Sequence, residues 1–393
     1  MIPSLIAYQV RQQFRHWTIF LLYALLIFQG IWYTKGTFDY YVNEGLLMNA
    51  AAIFYKNLAG GGLLMVIIVA VITGPILYKE IQYKTGQWLF TSPISEKSFF
   101  VGRFLSALSI NILVAFGYVI GMVLVPYVGI GEAHRFGATP VGPLLHGFFL
   151  LLLPNLLLLT SIIFATIVYF KRLTIAYLGV LITVVAFLLM QTTAEASGAS
   201  PLLQLADPFG YVATEYSISL MDVASRNVGY LAFTNYLLLN RFIWLAVSLL
   251  LFLAAYYKFS FKWLLRKEYK AKKPAVVMPI MDQVQAVQSV SMRFTFSDYL
   301  SKLFTLATLE LKNVVRPMGF KVIISVIVLM NILQNLLWNA SYYIGDTVAL
   351  TSSMTLFRLS FGVFIMILLM VWAGELFFKD RTTNFWQVAD ALP

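Results

Sequence analysis

The chain has 393 residues, 60% of them hydrophobic and only 11% charged, with a mean hydropathy of +0.80; this excludes a water-soluble globule and makes lipid part of the solvent. The net charge of +11 is not a nucleic-acid footprint, because Lys and Arg sit in short clusters between apolar runs rather than on one solvated face. With no cysteine, disulfides, thiol catalysis and cysteine-ligated metals are ruled out.

The N-terminal stretch MIPSLIAYQVRQQFRHW carries Arg11 and Arg15 and is not followed by a small-residue cleavage site. The first apolar run is therefore read as a retained span rather than a cleaved signal peptide. A bilayer core of about 30 Å needs about 20 apolar residues in helix. Eight stretches qualify, at about 17–33, 61–78, 99–127, 145–170, 173–191, 241–257, 318–338 and 356–378. The expected fold class is all-α, a polytopic membrane helix bundle. Pro154 inside the fourth stretch lacks a backbone donor and is expected to kink it.

Orientation follows from the basic residues of the short loops. One set of segments holds Arg11 and Arg15, then Lys79, Lys84, Lys97 and Arg103, then Lys171 and Arg172, then a cluster from Lys258 to Lys273. The other set holds only Lys35, Lys56, Arg135, Arg226 and Arg241. The bias places both termini in the cytoplasm, in agreement with an even number of spans. On the outer side, residues 192–240 are too short and too polar for two further spans. Their mixture of aromatic and polar residues fits either short helices lying on the membrane surface or an ordered loop. Residues 258–300 form the one substantial cytoplasmic linker, opening as KFSFKWLLRKEYKAKKP, which reads as a basic amphipathic helix along an anionic leaflet.

Self-similarity organises these spans. At a spacing of 300 residues, Tyr78–Pro93 (YKEIQYKTGQWLFTSP) lies over Phe378–Pro393 (FKDRTTNFWQVADALP), pairing Lys79 with Lys379, Glu80 with Asp380 and Pro93 with Pro393. At a spacing of 301, Tyr8–Arg15 lies over Leu309–Arg316, so that Arg11 meets Lys312 and Arg15 meets Arg316. Each copy runs in the same order: a basic amphipathic segment, a span, an outer loop, a second span, then an aromatic-Lys-acid step. Residues 1–265 thus read as a complete six-span unit, 266–300 as a linker, and 301–393 as the first two spans of a second copy. The end at Pro393, where a third span of that copy is due, reads as the end of a fragment.

Several chemistries lack their residues. There is no G-x-x-x-x-G-K-[ST] string to cradle phosphates; the GGG at Gly60 runs straight into a span and reads as a packing or hinge element. No H-E-x-x-H places two imidazoles on one helix face, and His16, His134 and His146 are far apart, with His146 expected to be a satisfied structural residue. Glu375 is the clearest acid within a span, but the nearby Lys379 and Arg381 favour an interfacial ion pair. Arg103, four residues into the third span, is expected to snorkel to the interface. No catalytic, cofactor or metal site is expected.

What remains is the loop KEIQYKTGQWLFTSPISEKSFFVGRF after the second span. It has a charged exit at Lys79 and Glu80, an amphipathic stretch with Trp88, Leu89 and Phe90 on its apolar side, and a Thr91-Ser92-Pro93 stop. Ser95 is placed to cap the helix of the third span. Such an element can dock on a soluble partner and pass motion to the spans.

At these residues the sequence resembles the permease subunits of bacterial type-2 ABC transporters. The matching positions are Glu80, Lys84, Thr85, Gly86, Leu89, Thr91, Ser92, Pro93, Ser95 and Arg103, and the six-span order of residues 1–265 also matches. The second copy departs from the pattern, since Ala391 and Leu392 replace Thr-Ser before Pro393. A partial second copy also looks like the permeases that continue into a zinc aminopeptidase domain, whose catalytic residues are not found in this sequence. The resemblance implies a multi-pass protein of a bacterial inner membrane that forms a translocation path. A separate cytoplasmic ATPase subunit would bind Glu80 and, in the second copy, Asp380, and a homodimer or a second permease would complete the path. The competing expectations are an ion-gradient-driven secondary transporter, which usually carries a midplane charge or a broken helix, and a non-transporting membrane scaffold. No side-chain cluster in the spans names a substrate.

Overall fold

The computed structural model describes residues 2–40, 45–60, 63–82, 89, 94–264, 296–315, 324 and 328. Among them every regular element is helical: α1 Ile2–Gln13, α2 Trp17–Tyr40, α3 Ala51–Gly60, α4 Leu63–Gln82, α5 Glu96–Leu124, α6 Val141–Gly147, α7 Leu153–Phe170, α8 Leu173–Ser197, α9 Pro201–Ala206, α10 Tyr211–Ser219, α11 Val223–Val228, α12 Asn235–Lys258, α13 Phe261–Leu264 and α14 Phe296–Val315, with short helical turns at Val125–Tyr127 and Ala133–Arg135. The chain divides after Arg266 into two units, and the described helix of the second is α14.

Among the described residues six helical stretches are long and apolar enough to cross a membrane: Trp17–Asp39, Met65–Gln82, Glu96–Tyr127, Val141–Phe170, Leu173–Glu195 and Asn235–Lys258. They coincide with the first six predicted spans. The backbone logic is that a segment in hydrocarbon must bond all its amides internally, which a helix does. This is the fold of a multi-pass membrane protein. The seventh and eighth predicted spans, and Glu375, lie outside the described residues.

Packing sorts the six spans. In α4 and in the α6–α7 span 67% of the hydrophobic window is buried, against 22% in α2 and α12, so the former pair forms the centre and the latter the lipid-facing rim. The closest approach is between α2 and α5. A Cβ on Gly121 would lie 2.1 Å from the Ile27 carbonyl oxygen, and one on Gly30 would lie 2.2 Å from that of Tyr118. Gly117 and Gly121 are four apart on α5, and with Gly30 they let the two backbones touch, which is how helices associate where lipid removes the hydrophobic drive. The expected kink at Pro154 takes a specific form. The turn Phe148–Leu152 just before it is a π-helix, which widens the helix and accommodates the proline while α6 and α7 remain one span.

Helix α3 departs from the outer loop expected between the first two spans. Its ten residues are too few to cross a bilayer, yet all but Lys56 are buried. Its last carbonyls have no partner within the helix, and other helices supply them: Tyr118 Oη donates to the Asn57 carbonyl at 3.3 Å and Asn155 Nδ2 to that of Ala59 at 3.1 Å. Non-spanning backbone is tolerated at depth when protein encloses it.

Between the end of α8 at Ser197 and the start of α12 at Asn235, the stretch read as short helices or an ordered loop holds short helices. It folds as α9–α11, and α10 buries Tyr211, Val212, Ala213, Thr214, Ser217 and Ile218. Thr214 and Ser217 can go inside because each donates its hydroxyl to the carbonyl four residues earlier. Together α3 and α9–α11 cap one end of the bundle. Segment 83–95 leaves from the other.

Candidate functional site

Segment 83–95 joins α4 to α5, and the helices on either side of it are fastened together. Glu80, in the last turn of α4, forms an ion pair with Arg103, two turns into α5; the side chains are 11% and 12% exposed. The guanidinium also sits 5.0 Å from the centre of the Phe99 ring. Two opposite charges this far from water tolerate burial only as a pair, so the contact fixes the spacing of α4 and α5 where the loop leaves. Arg103, expected to snorkel to the interface, turns its guanidinium to Glu80 at the loop end of α4.

Ser95 is the N-cap of α5. It is extended, with φ −71° and ψ 144°, and its hydroxyl accepts from the Ser98 amide, satisfying one of the four free amides of a helix start as its sequence position predicts. The next two residues reach across to the end of the sixth span. Glu96 Oε1 accepts from the Phe261 amide at 2.8 Å. Lys97 Nζ donates to the carbonyls of Tyr256 and, at 3.3 Å, Phe259, and lies 4.6 Å from the centre of the Tyr256 ring. Those carbonyls close the C-terminus of α12, where a cation complements both the free acceptors and the helix dipole. Aromatic rings fill the space behind: Phe259 stands 6.1 Å from Phe99 and 5.1 Å from Phe100, and Phe261 stands 5.7 Å from Phe99. Four helices, α4, α5, α12 and α13, thus meet at the base of one loop.

Of the eleven residues that the sequence assigns to this site, Glu80, Leu89, Ser95 and Arg103 are described. Leu89 is half-buried and packs with Ile94 against the main core, which places it on an apolar side as expected. Lys84, Thr85, Gly86, Thr91, Ser92, Pro93 and Asp380 lie outside the described residues. Sequence reading counted Lys97 only as charge and did not single out Glu96, so it missed the reach of both.

A second polar cluster stands at the capped end. Arg241, 4% exposed, donates to Asn155 Oδ1 at 3.0 Å and to Asn240 Oδ1 at 2.9 Å. Asp207, wholly buried, accepts from the amides of Phe209 and Val212, each at 2.9 Å. Burial raises its carboxyl above the ordinary value, while those amides and the Arg241 charge pull it back. Gly210, at φ +71°, is required here, since a Cβ would lie 2.2 Å from the Arg241 guanidinium. Nearby, Tyr55 Oη and His146 Nδ1 are 2.9 Å apart, so His146 is satisfied, and burial pushes the Tyr55 hydroxyl up to about 12. Lys56 meets Glu215 at 2.7 Å and ties α3 to α10. The cluster joins α3, α7, α9, α10 and α12. Its bonds are those of a structural pin. Among the described residues no group of three His, Asp or Glu side chains could hold a metal ion.

No protein-family model, curated protein or solved structure matches this chain.

Proposed function

We propose that this chain is the membrane-spanning permease component of an ATP-driven transport system, in which a separate cytoplasmic ATPase docks on segment 83–95 and moves the spans. The observation that carries this reading is the Glu80–Arg103 pair, together with the Glu96 and Lys97 contacts to α12 and α13. A loop anchored to three spans at its base delivers force to the bundle, whereas one hanging from flexible ends would absorb it. Glu80 acts here as a positioning residue beneath the docking loop, and the ATPase touches the loop's outer surface. The substrate path runs among the spans of this chain and those of a second copy or a second permease.

The test is purification of the chain from its native membrane in mild detergent, with ATP hydrolysis assayed in the eluate. An ATP-hydrolysing subunit is expected to co-purify with the wild type and to be lost or uncoupled with Glu80→Arg. If the wild type brings down no ATPase, or if Glu80→Arg retains a normally stimulated one, the reading fails.

A further inference from the structure

Helix α14 carries its chemistry on two opposed faces. At 100° per residue, Phe296, Leu300, Leu303, Ala307 and Leu311 fall on one side, and Ser301, Thr305, Thr308 and Lys312 on the other. The apolar side is open: Phe296 is 83% exposed, Leu303 57% and Leu311 63%. The polar side needs nothing further for its threonines, since Thr305 and Thr308 donate to the carbonyls of Ser301 and Phe304. A 20-residue helix is about 30 Å long and is barely stable alone in water, so this stripe calls for an apolar surface.

We infer that α14 lies in the plane of an anionic membrane surface, with its polar face toward water and its apolar face at the level of the upper acyl chains. Three observations select lipid. The described residues include six helices able to span a bilayer, which brings the segments connected to them to the membrane. Phe296, Tyr299 and Phe304 are all exposed on this helix, and aromatic side chains favour the headgroup level. Upstream, residues 258–273 hold seven basic residues, Lys258, Lys262, Arg266, Lys267, Lys270, Lys272 and Lys273, against the single acid Glu268. Such a run complements anionic headgroups and draws the following helix down to them. A large polar-apolar contrast along the helix is the signature of an interfacial element rather than of a span.

The absence of cysteine makes the test direct. The full chain is reconstituted in vesicles of phosphatidylglycerol and phosphatidylcholine as four single-cysteine variants, Leu303→Cys, Leu311→Cys, Ser301→Cys and Thr305→Cys, each carrying a nitroxide. All four positions are exposed, so folding is not at risk. Collisions with oxygen, which partitions into lipid, are compared with collisions with a water-soluble nickel chelate. Leu303→Cys and Leu311→Cys are expected to show a several-fold higher oxygen-to-nickel ratio than the other two, with the contrast shrinking in vesicles of phosphatidylcholine alone. Labels at Leu303 and Leu311 shielded from both reagents would mean that protein covers the face, and equal nickel access at all four would mean water; either result overturns the inference. A contrast unchanged without phosphatidylglycerol would overturn the requirement for an anionic surface.

Discussion

Removing either partner of the Glu80–Arg103 pair should cost about 3 kcal/mol, the lower part of the range for a buried pair, because both side chains retain a little exposure, 11% and 12%. The informative experiment is the double-mutant cycle of Glu80→Gln and Arg103→Gln, followed by equilibrium unfolding in mixed micelles. Each single variant leaves one buried charge without its opposite, while the double variant leaves none. The double should therefore be no less stable than either single, giving a coupling of at least about 3 kcal/mol. The exchanged pair Glu80→Arg with Arg103→Glu should recover part of the loss in stability and part of the association with the ATPase. If the two single losses simply add to within about 0.5 kcal/mol, the contact contributes nothing as a pair. If the cycle shows coupling but ATPase association is unchanged in every variant, the pair is structural and its positioning role is refuted.

Lys97→Met keeps the length of the side chain but removes its donors from the α12 carbonyls. A loss of about 1.5 to 3 kcal/mol is expected by thermal denaturation, together with faster amide exchange in residues 255–264. Gly121→Ala sets a Cβ 2.1 Å from the Ile27 carbonyl oxygen and must push α2 from α5. Thermal unfolding should fall by about 1 to 3 kcal/mol, whereas a silent substitution would show that the two backbones do not touch. Asn155→Leu leaves the carbonyls of Ala59 and Phe209 and one side of the Arg241 guanidinium unpartnered. About 3 kcal/mol should be lost, and amide exchange should rise first in 207–219, the segment this amide holds.

The spans were legible because length and apolarity alone decide them. The predicted 173–191 and 99–127 are found as Leu173–Glu195 and Glu96–Tyr127. Where the reading fell short, a polar side chain was taken for water exposure: the sixth span begins at Asn235 rather than near 241 because Asn240 and Arg241 look like loop residues, yet both are buried by partners from α7 and α9. For the same reason α3 was invisible. It is a short stretch with Lys56 and Asn57 near its middle, and the distant Glu215, Thr34 and Thr37 make those side chains safe to enclose. The Ser95 cap was legible because its partner is three residues away. The Glu80–Arg103 and Lys97–Phe259 contacts were not, since their partners are 23 and 162 residues apart and composition carries no distance.

The two ends of the bundle are tied by different chemistry, and the difference bears on how force from the loop would travel. At the capped end most of the ties are amides, backbone carbonyls, the Asp207 carboxylate and the Arg241 guanidinium, at most 4% exposed for Asn155, Asp207, Asn240 and Arg241, with the more exposed Lys56–Glu215 pair beside them. Water cannot replace a broken bond there, so each opening carries the full cost of an unpartnered polar group. At the loop end the ties are charged side chains that keep a little exposure, 11% and 12% for Glu80 and Arg103, so water can begin to reach a contact as it lengthens. Displacing segment 83–95 should therefore part α4 and α5 from α12 at the loop end while α3 and α9–α11 stay joined. On the proposed function the capped end would be the fulcrum and the Lys97 and Glu96 contacts to α12 and α13 would be the ones that yield, while Glu80–Arg103 keeps α4 and α5 together.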